Sequence, residues 1–120
     1  MTGAPVDSAQ LPALIPTPAN STKTVGPDTI ADNGIHMHFQ VNGAPTDVMN
    51  AFKTALEGNA WTVTTIITSG GGGGGGATYT GTNGDAYGVF DGGGFNNSTF
   101  IDVCAWPSKP ANPNCTRGDR

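Results

Sequence analysis

His36 and His38 are the only two histidines in the chain, and they are alternate residues. In an extended segment such residues project from one face, about two residues' rise apart, so the two imidazoles could share a metal ion. Two nitrogens do not fill a tetrahedral shell; a carboxylate from Asp28, Asp32 or a neighbouring strand would have to join them. Met37 faces the other way and cannot be a copper-type third ligand without distortion. The same pattern fits two ordinary residues on the polar face of a strand. Asp85, Asp91 and Asp102 form a second set. Paired carboxylates serve acid–base chemistry, and Asp-rich glycine loops bind calcium. Yet no EF-hand spacing is present, and Asp85 and Asp91 are each expected at a turn, where Asp hydrogen-bonds locally.

Other chemistry is thinly supported. No Ser lies in Gly-x-Ser-x-Gly, and no histidine stands in an evident nucleophile–base–carboxylate arrangement, so the chain is not expected to be an enzyme. Gly70–Gly76 is a run of seven glycines. A phosphate-cradling loop would continue with Lys and Ser/Thr into a helix, whereas Ala77-Thr78-Tyr79 follows. The run is expected to be a mobile loop without side chains to pack. No cofactor motif is present. Arg117-Gly118-Asp119 spells an integrin-binding tripeptide, but at a frayed terminus it reads as coincidence. Asn20, Asn96, Asn97 and Asn114 begin glycosylation sequons that matter only in a host that uses them.

The two cysteines, Cys104 and Cys115, flank a segment carrying Pro107, Pro110 and Pro113. Proline-rich chain loops rather than extending a strand. A disulfide here would pin the C-terminal segment to the last strand and implies an oxidising compartment. Two unrelated free thiols are the alternative. The spacing matches no zinc pattern.

The elements that must position these residues follow from patterning. At 120 residues the chain is one domain, with 12% charged residues against roughly 25% in an average soluble domain. The net charge of −4, with only 5 Lys and Arg, excludes nucleic acid and anionic membrane surfaces as partners. No apolar window is long enough for a transmembrane helix. Residues 1–20 read as a flexible tail, either the stump left after removal of a signal peptide or a natural cytosolic start, residues 21–116 as a single domain, and 117–120 as a frayed C-terminus. Ser21–Ile30 is an irregular strand, and Asp32-Asn33-Gly34 a hairpin turn. Ile35, Met37, Phe39 and Val41 then alternate with His36, His38 and Gln40, which predicts a half-buried strand. Pro45 starts a helix whose apolar stripe is Val48, Met49, Phe52, Ala55 and Leu56, stopped by Gly58-Asn59. Strand-like runs follow at 60–68, 77–81, 86–91 and 99–106, with Asn83-Gly84 as a hairpin signal and 91–97 as a loop. The expected fold is α+β: one helix on one face of a mainly antiparallel, five-stranded sheet, order β-β-α-β-β-β.

The entry Pro16-Thr17-Pro18-Ala19-Asn20-Ser21, the strand after it, and the helix Pro45–Leu56 leading through Gly58-Asn59-Ala60-Trp61-Thr62-Val63 resemble small exported or lipid-anchored cell-envelope domains of actinobacteria. Those carry a helix ending Phe-x-x-Ala-Leu-x-x-x-Gly-Trp-x-Val; here Ala60 stands where that pattern has Gly. The resemblance spans most of residues 14–106 and implies an extracytoplasmic location and this fold, but no activity and no catalytic residue. The reading that follows is a non-enzymatic binding module of the cell envelope. It would contact an envelope protein, glycan or lipid through aromatic residues of the C-terminal half: Tyr79, Tyr87, Phe95, Phe100 and Trp106. The alternatives are metal binding by His36 and His38, and an enzyme of unknown class.

Overall fold

A computed structural model describes residues 10–71, 74–95, 97–111 and 115. The chain runs as α1 (Leu11–Leu14), β1 (Ser21–Ile30), β2 (Gly34–Asn42), α2 (Pro45–Gly58), β3 (Thr62–Gly71), β4 (Gly74–Asn83), β5 (Ala86–Phe95) and β6 (Ser98–Trp106). All strand pairs are antiparallel, in one six-stranded sheet of order β1-β2-β6-β5-β4-β3. The fold is α+β as expected, with one strand more. The runs on either side of the Thr82–Asp85 turn each become a full strand, lengthened by glycine. β4 begins inside the seven-glycine run, with Gly70 opposite Gly75 and Gly71 opposite Gly74. The described glycines of the run, 70, 71 and 74–76, are therefore ladder and not the expected loop; Gly72 and Gly73 lie outside the described residues. Likewise β5 continues through Gly92, Gly93 and Gly94 instead of looping at Asp91. A Cβ on Gly92 would stand 2.3 Å from Met49 Sδ, so bare backbone at this position lets α2 lie close on the sheet.

The helix begins at Pro45 behind an Ala44 N-cap, with Asp47 in its first turn. Its exit is a Schellman motif: Trp61 N donates to Leu56 O at 3.0 Å and Ala60 N to Glu57 O at 3.3 Å. Ala60 fills the left-handed position, with φ +73°. Asp32 and Asn33, both at positive φ, turn β1 into β2 as expected of that tripeptide.

One sheet face carries the main core. Ile35, Met37, Phe39 and Val41 of β2 meet Ile101, Val103 and Ala105 of β6 and Tyr79 and Phe90 beneath Met49, Phe52 and Leu56 of α2. Trp61 packs edge-on against Phe90, with ring centroids 5.1 Å apart. The chain before β1 belongs to this core. Leu11 and Ile15 are buried in it, and Leu14 O accepts Trp61 Nε1–H at 2.8 Å. The expected tail of residues 1–20 is thus docked from α1 onward; residues 1–9 and 116–120, including the Arg-Gly-Asp tripeptide, lie outside the described residues. The edge strand β1 is largely exposed and carries Lys23, Pro27 and Asp28, residues that discourage pairing with another chain.

Candidate functional site

The opposite sheet face gathers the polar chemistry. The β2 alternation that buries Met37 and Phe39 puts His36, His38 and Gln40 on this face, and β6 supplies Phe100, Asp102, Cys104 and Trp106 in matching phase. Register pairs His38 with Asp102 and His36 with Cys104. Asp102 is 0% exposed, and its Oδ1 accepts from both imidazoles: His36 Nε2 at 3.0 Å and His38 Nδ1 at 2.9 Å. These bonds assign the tautomers, leaving the lone pairs at Nδ1 of His36 and Nε2 of His38. His38 Nε2 is buried without a hydrogen-bond partner among the described residues, and its ring stacks on Phe100 at 6.1 Å. The carboxylate beside the histidine pair is thus Asp102 of β6, and it holds both rings by direct hydrogen bonds.

Asp91 faces Asp102 directly across the β5–β6 ladder and accepts Thr78 Oγ1–H at 2.8 Å. It is therefore a buried strand residue and not the expected turn residue; Asp85 alone of the two sits at the β4–β5 turn. A short apolar cluster completes this face: Val89, Cys104 and Trp106, with Ile30, Tyr87 and Cys115 against them. Cys104 and Cys115 form the expected disulfide. His36 sits at its edge. A ring nitrogen of His36 and both sulfurs lie within 4.8 Å of one another, the group of three metal-ligand side chains that converges among the described residues.

The aromatic contact surface does not form as expected. Tyr79 lies in the main core, where its hydroxyl donates to Met49 O at 3.1 Å and burial raises its pKa. Trp106 is buried in the smaller cluster and packs against Tyr87, over which Lys109 Nζ sits 5.5 Å from the ring centre. Tyr87 and Phe100 are half-buried. The Phe95 side chain lies outside the described residues. Tyr79 and Trp106 are corrected from contact residues to core because alternation along β4 and β6 turns them under α2 and under the tethered segment.

A groove opens elsewhere, between α2 and the segment that enters β1. It holds about 460 Å³, in the range of small-molecule sites. Pro18, Val48, Ala51, Phe52 and Ala55 give it an apolar wall; Asp47, Asn20 and Asn42 line its polar part. Sequence reasoning missed it because its near wall was read as tail. The signal was present in the helix: Ala51 and Ala55 are one turn apart, and two small side chains on one helix face leave room beside it.

Comparison with protein-family models, curated proteins and solved structures returns no match to this chain.

Proposed function

We propose that this is an extracytoplasmic, non-enzymatic binding domain that takes a small, largely apolar molecule with a cationic or donor-rich end in the groove beside α2. The groove carries the reading: an apolar wall of Val48, Ala51, Ala55 and Pro18 over the buried Phe52, with one carboxylate, Asp47, and two amides, Asn20 and Asn42, in its lining. An apolar wall supplies affinity by surface burial, and a few polar groups fix orientation. Asp47 makes a positive end preferable to a negative one. The ligand class that fits is a lipid-like amphiphile, which narrows the envelope protein, glycan or lipid expected from sequence.

Among the described residues no helix is long and apolar enough to cross a membrane. The disulfide supports the setting, because it belongs with an oxidising compartment. The resemblance to exported actinobacterial envelope domains points the same way. The test is a ¹H–¹⁵N titration with decyltrimethylammonium and with decyl sulfate, each below its micelle concentration. Saturable shifts confined to residues 17–20 and 42–55, stronger for the cation, support the reading. Shifts spread over the sheet, or equal response to both head groups, overturn it.

A further inference from the structure

The disulfide edge carries a different chemistry from the groove. Cys104 is 1% exposed and held in the β2–β6 ladder opposite His36. Cys115 is half-buried and lies beyond β6, so no strand ladder fixes its backbone as it does that of Cys104. His36 Nε2 is committed to Asp102, which leaves Nδ1 as its ligand atom and provides the carboxylate–imidazole pairing that orients metal-bound histidines. While the sulfurs are bonded to each other they cannot act as thiolates.

We propose that the Cys104–Cys115 disulfide is a redox gate on a zinc site: reduction turns His36, Cys104 and Cys115 into a three-ligand Cys₂His centre, with Asp102 behind the imidazole. A dithiol supplies two electrons and two protons, leaves as its own disulfide, and gives two protein thiols. Zinc then displaces both thiol protons and binds two thiolates and the imidazole, with water in the fourth position. Two soft sulfurs and one imidazole suit zinc over calcium or magnesium. Cys104 and His36 are already placed by strand pairing, so only Cys115 must swing to open room for the ion. A small-molecule disulfide reverses this: it takes two electrons from the thiolates and two protons from solvent, leaves as a dithiol, and the re-formed Cys104–Cys115 bond releases the metal. The site uses one of the two histidines expected to bind metal; His38 pairs opposite Asp102, farther along the ladder from the His36–Cys104 pair.

The experiment titrates Co²⁺, as a spectroscopic stand-in for zinc, into the full chain, oxidised and after phosphine reduction, without oxygen. Circular dichroism of the same samples follows folding. The expected result is one cobalt per reduced chain, with a thiolate-to-cobalt charge-transfer band that zinc displaces and that is absent from the oxidised chain. His36→Gln should weaken binding by more than the roughly 10–100-fold that loss of an outer-shell partner costs. Cys115→Ser should remove most of the band. The proposal is overturned if the reduced chain gives no such band, if His36→Gln binds as tightly as the unaltered protein, or if reduction unfolds the chain and zinc does not restore it.

Discussion

Ala60→Gly should make the protein more stable. Ala60 closes α2 in the left-handed conformation, φ +73°, while the bonds from Trp61 N to Leu56 O and from Ala60 N to Glu57 O complete the helix end. A residue with a Cβ pays about 1–2 kcal/mol to hold that conformation. Glycine removes this cost but loses roughly 0.5–1 kcal/mol more chain entropy on folding. Ala60 is exposed, so little packing is lost with its methyl group. The balance is a gain of about 0.5–1 kcal/mol, equivalent to about 2–4 °C in melting temperature for a domain of this size. Thermal melts of the oxidised protein, read by near-ultraviolet circular dichroism, measure it. Ala60→Val is the opposite control and should melt lower, because a β-branched side chain fits the left-handed region worst. An Ala60→Gly protein that melts at or below the original would refute the helix-end geometry.

Three other outcomes follow from the packing. Gly92→Ala should destabilise by about 1–3 kcal/mol because its methyl collides with Met49, and Met49→Ala in the same chain should recover part of that loss in a double-mutant cycle. Asp102→Ala should cost about 3 kcal/mol or more in urea unfolding, since it strands two imidazole N–H donors on a buried face. Tyr79 has its folded pKa raised above the ordinary 10.0 by burial. The unfolded chain therefore releases this proton first, and stability falls as pH rises from about 10 towards the folded value. Tyr79→Phe should flatten that part of the stability–pH curve; an unchanged slope would contradict the burial.

Local pattern told much of the fold. The alternation in 35–41 placed His36 and His38 on one face and Met37 on the other, and the same phase in 99–106 put Asp102 and Cys104 on a common face. What alternation cannot give is strand order. Asp102 reaches both histidines only because β6 inserts beside β2, joining residues more than sixty positions apart in the chain. The glycines misled for a related reason. Without side chains they carry no periodicity, so 70–76 and 92–94 read as loop, yet the backbone groups of 70, 71, 74–76 and 92–94 pair across ladders and Gly92 is set by the approach of Met49. Leu11 and Ile15 were too few, among prolines, to mark a docked segment. Tyr79 looked available because glycine and threonine neighbours hide the phase of β4.

The groove is the central claim, and its most direct test fills it. Ala51→Trp places a large side chain on an exposed helix position in the groove wall. The variant should keep the native melting transition but lose the decyltrimethylammonium shifts at residues 17–20 and 42–55, and Asp47→Asn should weaken them while leaving decyl sulfate unaffected. A folded Ala51→Trp protein that binds the cationic amphiphile as the unaltered chain does would contradict the account.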